Sequence, residues 1–250
     1  MFSMSTGRIE SASGIYHVMA KGVGGQLIVE DDDDRRIFVS FLKEGIARAG
    51  VTLLAWCLMD NHVHLLMSCP IDGLSCCMGN LLSSYALVFN KRHGREGHLF
   101  QGRFKSVPIE DDAYLLTVVR YIHQNPVKAN MTPTCDYPWS SYNEYTGNPG
   151  LTNTETILSM FDGVKSLEEF HAIFDEDAEH DKDLEWDKRV SDEDALNHAI
   201  ELFGDSGLGH IKAMPKEERN AAIRQLKDYG CTVRQIRRLT GISLGTISKA

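Results

Sequence analysis

The sequence predicts an α+β fold, an antiparallel sheet with helices laid on it, followed by an all-α module. Three observations predict it. Through the first 145 residues, short apolar runs of strand length alternate with longer runs of helical period, in the order β-α-β-β-α-β-α. Two of the apolar runs are joined by Asp60-Asn61, which is hairpin chemistry and makes the two strands antiparallel. From residue 191 onward only helical periodicity remains.

Each element has its own local reason. Gly14 to Lys21 (GIYHVMAK) is strand-like and runs into a glycine turn at Gly22, Gly24 and Gly25. The acidic run Asp31–Asp34 opens a helix whose apolar stripe is Ile37, Phe38, Phe41, Leu42 and Ile46, because carboxylates offset the dipole of a first turn. Thr52–Met59 and His62–Ser68 form the hairpin strands. A long helix covers Leu74 to Arg92, and a strand covers Arg103–Ile109 after the basic loop Lys91–Gly102. The next helix opens at Glu110-Asp111-Asp112 and is expected to end before Pro126, since a pre-proline residue resists the α region. Residues 147–190 read as an acidic linker with one short helix near 166–173. Beyond it, Ser191 is placed to cap a helix through Phe203, and Pro215 to begin the next. The expected domains are therefore 1–146, the linker 147–190, and a helical domain 191–250.

The charge balance first argues against a nucleic-acid partner, with a net charge of −9. Its distribution reverses that inference. Residues 1–150 carry 13 basic and 15 acidic side chains (−2), residues 151–190 carry 4 and 12 (−8), and residues 191–250 carry 9 and 8 (+1). Residues 210–250 alone hold 9 basic and 3 acidic side chains (+6), enough for a local phosphate-binding surface. No apolar stretch approaches the ~20 residues of a membrane span, and the start lacks an apolar signal region. The six cysteines show no CxxC spacing. A cytoplasmic protein with reduced thiols and no membrane partner is expected.

The sharpest local pattern is Asp60-Asn61-His62-Val63-His64-Leu65. Alternate residues of a strand share a face, so His62 and His64 form half a site for a divalent metal. The plainer reading, two polar residues on a sheet surface, weighs about equally on this triplet alone. Arg120-Tyr121-Ile122-His123-Gln124-Asn125-Pro126-Val127 adds to it. Tyr121 and Asn125 are four apart and share a helical face. The Asn125 amide is an acceptable ligand for a hard ion, and Tyr121 is a candidate nucleophile. A half-buried aromatic and a helix cap are the plainer alternatives. Leu115, Val118, Val119 and Ile122 supply the stripe that docks this helix. His123, about 200° round the helix from Tyr121, is not made the base.

An HxH strand followed 57 residues later (121 − 64) by YIxxN-P resembles the single-strand DNA transposases of the HUH class with one tyrosine. The segments Gly102-Arg103-Phe104-Lys105-Ser106, Asn125-Pro126-Val127 and Tyr137-Pro138-Trp139-Ser140-Ser141-Tyr142 resemble the REP-associated branch. The similarity spans roughly residues 12–146. It implies a ferredoxin-like fold with both histidines on a central strand. It implies that His62, His64 and Asn125 bind Mg²⁺ or Mn²⁺, that Tyr121 is the nucleophile, and that the substrate is single-stranded or hairpin DNA. Such enzymes work as monomers or homodimers.

Lys91, Arg92, Arg95, Arg103 and Lys105 give +4 over residues 91–105 against Glu96, with Phe100 and Phe104 interleaved. Cations for phosphates and aromatics for bases suit single-strand binding. Tyr16, His17, Tyr85 and His98 read as packing residues. Residues 231–249 resemble a helix-turn-helix. Thr232 would cap the first helix, Val233, Ile236 and Leu239 would form its apolar face, Gly241 would make the turn, and Ser243 would cap the second helix. Arg234, Arg237, Arg238 and Lys249 would hold the phosphates of duplex DNA. The plainer alternative is an α-hairpin used for packing. Competing functions are a domesticated, catalytically silent DNA-binding regulator, a replication or transfer initiator, and, least favoured, a small-molecule metal hydrolase.

Overall fold

The structure is a computed structural model, and it describes residues 9–133, 135–173, 192–204, 208–229, 231 and 233–249. The expected caps Ser191 and Thr232 and the acidic stretch 175–187 lie outside the described residues. The chain divides into two units, residues 1–186 and 187–250.

The first unit is built on a four-stranded antiparallel sheet. Its strands are β1 (Ile15–Lys21), β2 (Thr52–Leu58), β3 (His62–Ser68) and β4 (Lys105–Ile109), in the order β2-β3-β1-β4. Three long helices flank it: α1 (Asp32–Ala49), α2 (Ile71–Arg92) and α3 (Asp112–Lys128). Phe38 and Leu42 of α1 and Leu81, Tyr85 and Phe89 of α2 share a core with Val18, Val63, Leu65 and Met67 on one face. Leu115, Val118 and Ile122 of α3 pack with Leu66, Ala55 and Cys57 on the other. Both faces are covered, which is why Leu53–Met59 reads as a continuous apolar run rather than an alternation. A bulge between Leu53 and Ala55 turns Leu54 and Ala55 both toward α3. Each large side chain so buried contributes about 1.5–3 kcal/mol.

The helix starts follow the expected chemistry. The Asp31 carboxylate accepts from the Asp34 N–H at 2.8 Å, and Asp111 accepts from the Tyr114 N–H at 2.8 Å. The hairpin closes as expected, the Met59 N–H donating to the His62 carbonyl at 2.9 Å. Helix α2 begins at Ile71 rather than Leu74, β4 begins at Lys105 rather than Arg103, and one boundary differs for a clear reason. Helix α3 does not stop before Pro126 but continues to Lys128. Proline here sits in the last turn, so only its own bond back to Ile122 is lost, and the carbonyl of Asn125 still receives the Ala129 N–H. The continuation carries Lys128 onto the face of Tyr121 and Asn125.

The expected linker begins later than residue 147. Three short helices, α4 (Tyr142–Tyr145), α5 (Glu155–Leu158) and α6 (Val164–His171), place Tyr145, Ile157 and Leu167 in the α3-side core. Most of the acid of the expected linker lies beyond them, in residues 175–187, while single apolar residues hold these helices down. The strand-like segment before α4 covers the free edge of β2: Leu58 N–H donates to the Trp139 carbonyl and Ser141 N–H to that of Trp56, both at 2.9 Å.

A buried chain of hydrogen bonds ties α6 to this core. His171 Nδ1 donates to the Leu167 carbonyl at 2.8 Å, leaving its Nε2 bare to accept from His123 Nδ1 at 2.9 Å. His123 Nε2 then accepts from the Ser141 hydroxyl at 2.8 Å, whose oxygen accepts the Trp56 N–H at 2.9 Å. Every ring nitrogen is used and no place remains for another proton. Burial accordingly holds His123 well below the ordinary imidazole value and lowers His171 to about 4. The unfolded chain takes up protons near pH 6.5, before the folded one does. Stability is thus expected to be level above pH 6.5 and to fall toward pH 4, by as much as about 1.4 kcal/mol per unit for each histidine. Thermal melts at pH 7.5, 6 and 5 check this, and His171→Leu should flatten the profile.

The second unit contains α7 (Asp192–Phe203), a 3₁₀ turn over Leu208–Ala213, α8 (Lys216–Asp228), α9 (Val233–Thr240) and α10 (Leu244–Lys249). Its own core joins Ala199, Ile211, Ile223, Leu226, Ile236, Ile242 and Ile247. Pro215 stands just before α8, as expected. Helices α9 and α10 are joined through Gly241, which takes a left-handed φ of 67°. Among the described residues no helix is long and apolar enough to cross a membrane, and all six cysteines are free thiols.

Candidate active site

Strand β3 lies inside the sheet, and its His62 and His64 point to the α3 side. On that side α3 lays Tyr121 edge-on to His64, with ring centroids 5.4 Å apart at 86°. The His62 and His64 rings are themselves 4.9 Å apart. Asn125, one turn on, brings its side chain within reach of the His62 ring. The four residues singled out in the sequence therefore converge, although they come from two segments 57 residues apart. His64, Tyr121 and Asn125 are all buried, at 2%, 7% and 8% exposure.

The hydrogen bonds fix which atoms are available. Asn61 donates its amide to the Gly25 carbonyl at 3.3 Å, so its oxygen faces the other way. That oxygen accepts from His62 Nδ1 at 2.6 Å. His62 is thereby the Nδ1–H form, with a free lone pair on Nε2. Asn125 donates its amide to the Tyr121 carbonyl at 2.9 Å, which turns its oxygen away from the helix. An imidazole lone pair and an amide oxygen so placed are neutral acceptors facing one another, which suits a divalent cation. Among the described residues no three His, Cys, Asp or Glu side chains gather into a metal site. The donor set on offer is thus two imidazoles and one amide. Burial, with Lys21 adding, lowers His62 to about 4, and burial lowers His64 further below its ordinary value. Both are therefore neutral at pH 7, as ligands must be.

Sequence reasoning missed three residues. Lys21 of β1 lies directly opposite His62 in the ladder. Lys128 places its ammonium 4.9 Å from the centre of the Tyr121 ring. His17, read as a packing residue, is wholly buried in the site, its Nε2 2.9 Å from His64 Nδ1. Its position two residues from Met19, the partner of His64 across the ladder, becomes visible only once the β1–β3 register is known.

The basic residues divide. Lys105 pairs with Met19 across β1, on the face of the histidines. Lys91 and Arg103 are exposed. Arg92 is instead engaged by Asp31, Asp33 and the buried Asp34, and Arg95 by Glu30 and Gln26. The acidic run that opens α1 thus also neutralises much of the loop's charge. Arg237 and Arg238 are exposed on α9, while the side chains of Arg234 and Lys249 lie outside the described residues. Ser243 caps α10 as expected, accepting the Thr246 N–H at 3.3 Å.

Residues 13–125 match the family described as "Transposase IS200 like". That span holds His17, His62, His64, Tyr121 and Asn125. A protein of Haemophilus influenzae (strain Rd), named as a REP-associated tyrosine transposase, is 31% identical over 120 residues, covering 39% of this chain and 68% of its own length. Among solved structures, a REP-associated tyrosine transposase bound to a REP hairpin aligns with a TM-score of 0.49 at 17% identity, over 61% of this chain and 90% of the other. A transposase of Deinococcus radiodurans aligns with a TM-score of 0.32 at 18% identity, over 50% and 97%.

Proposed function

The chain belongs to the IS200-like transposases, of the REP-associated tyrosine type, and from that premise we propose that it cleaves and rejoins single-stranded or hairpin DNA through a covalent bond to Tyr121. The observation that carries the reading is the meeting of Tyr121 and Asn125, from one face of α3, with His62 and His64 of β3. The element order β-α-β-β-α-β with strand order β2-β3-β1-β4 supports the ferredoxin-like reading of the fold.

In the step proposed, the Tyr121 oxygen gives up its proton and forms a bond to phosphorus as the bond to the 3′ oxygen breaks. The 3′ oxygen leaves as a hydroxyl after taking a proton, and the 5′ phosphate stays on the tyrosine. Because the phosphodiester is exchanged rather than hydrolysed, a 3′ hydroxyl can later reverse the step. His62, His64 and Asn125 would hold Mg²⁺ or Mn²⁺, which supplies charge neutralisation at the phosphate. Lys21, Lys105 and Lys128 add fixed positive charge round the same place. The carboxylates of the α1 start are engaged by Arg92 and His93 on the opposite side of the sheet, away from it.

The test is a covalent-adduct assay with 5′- and 3′-labelled hairpin oligonucleotides, with Mg²⁺ or Mn²⁺ and with chelator. Denaturant-resistant protein carrying the downstream fragment, seen only with metal, is the expected result. No adduct on a broad hairpin pool, with binding intact, would sink the reading and leave the silent DNA-binding regulator. The convergence of all four site residues disfavours that alternative. Lys128→Met is expected to slow adduct formation about tenfold with hairpin binding little changed, the size of loss that one cation–π contact to Tyr121 would carry. Equal rates would remove Lys128 from the mechanism.

For the second unit we propose a helix-turn-helix contact to duplex DNA through α9 and α10. The turn at Gly241, the cap at Ser243 and the exposed Arg237 and Arg238 support it. Arg237→Ala is expected to weaken duplex binding and to lower the slope of log K against log salt by about one. An unchanged slope would favour the α-hairpin.

A further inference from the structure

Two kinds of buried histidine occur in the first unit. His123 and His171 use all four ring nitrogens in one chain of hydrogen bonds, as groups buried for structure do. His17 differs. Its Nε2 meets His64 Nδ1 at 2.9 Å, while its Nδ1 is buried with no hydrogen-bond partner among the described residues. Its ring stacks on His64, with centroids 5.1 Å apart at 18°. A buried ring that satisfies one nitrogen and orphans the other is costly to the fold, so packing alone is a poor account of an imidazole at this position. The single bond it makes is aimed at a candidate ligand.

The partner of His62 shows what that bond does. Asn61, held by Gly25, accepts the Nδ1 proton of His62 and leaves Nε2 bare. His64 has no amide beside its Nδ1; it has His17 Nε2. We propose that His17 is the positioning residue of His64, accepting the Nδ1 proton so that His64 presents a bare Nε2 to a divalent ion, as Asn61 does for His62. Both histidines of the pair are then set to one tautomer by partners from outside β3: one from the hairpin turn, the other from β1. No proton is gained or lost by the pair. Each ring stays neutral, His64 with its proton on Nδ1 and His17 with its proton on Nδ1. Orienting partners of this kind commonly change metal affinity by 10–100-fold. The inference rests on the metal reading given under Proposed function.

The experiment measures Mn²⁺ binding to the full chain, without DNA, by titration followed by electron paramagnetic resonance. The proteins compared are wild type, His17→Phe, His17→Leu and His17→Gln, with thermal melts alongside. Phe and Leu fill the space without an acceptor; Gln returns an acceptor near the position of Nε2. The expected result is Mn²⁺ affinity about 10–100-fold weaker in Phe and Leu and largely restored in Gln. Affinity unchanged in a folded His17→Phe or His17→Leu overturns the inference alone. So does a Gln variant as weak as the apolar ones. Wild type that takes up no Mn²⁺ overturns the metal reading, and the inference with it. Nitrogen-15 spectra of the Mg²⁺-loaded wild type need no variant to fold. They should show His64 protonated at Nδ1 and His17 accepting at Nε2, and a proton on His64 Nε2 would overturn the assignment.

Discussion

Tyr121→Phe is expected to bind hairpin DNA as tightly as the parent chain and to form no covalent adduct. The substitution removes one oxygen and leaves the ring that packs edge-on against His64 and, at 6.1 Å, against His17. The melting temperature should therefore move little, since a single side-chain hydrogen bond is worth about 1 kcal/mol. The chemistry, in contrast, has no substitute. His123, two residues on, is locked between Ser141 and His171, and His62, His64 and Asn125 carry no hydroxyl to take its place. A fall of at least about 10³-fold is expected, as for other lost nucleophiles. Adduct formation in this variant would move the nucleophile elsewhere.

His64→Ala is expected to abolish adduct formation, in excess Mn²⁺ as much as at low concentration, and also to destabilise the fold. The ring is 2% exposed, so its removal opens a cavity and strips His17 of its one hydrogen-bond partner. Together these cost about 2–4 kcal/mol. His62→Ala separates the two effects. His62 is only half-buried and its partner Asn61 can turn to solvent, so adduct formation should vanish with a smaller change in melting temperature. A His62→Ala protein that forms adduct at the parent rate would count decisively against a metal on these residues.

The fold was largely legible because its signals are local. Acidic first turns, the Asp-Asn hairpin and the stripe of α3 each act within a few residues, and all are where the pattern puts them. Pro126 misled because the rule for proline describes an interior turn, whereas here only one bond of a final turn is forfeited. The region 147–173 misled because the acid that marks the linker lies beyond it, in 175–187, while Ile157 and Leu167 anchor their short helices singly. The site divides in the same way. His62, His64, Tyr121 and Asn125 were readable from two short motifs. The positions of His17, Lys21 and Lys128 beside them were not, since these arise from strand pairing or from the added turn after Pro126. The opposite error occurred at Arg92, where a basic loop looked available for phosphate and its counterions lay about 60 residues earlier in the chain, at Asp31–Asp34.

The site also has an order in time. A chain made from its N-terminus at about 5–20 residues per second releases β1 and the β3 histidines about 3–11 seconds before Tyr121. Strands β1 and β3, which pair in the folded chain, are both complete by residue 68, so the histidine pair and its partners are all present on a nascent chain that still lacks Tyr121. Synthesis arrested between residues 68 and 121 yields fragments that carry both histidines of β3 without Tyr121. On the proposed function, such truncated products would be unable to break a DNA strand, and that capacity would arrive only with α3, the last long helix laid on the sheet.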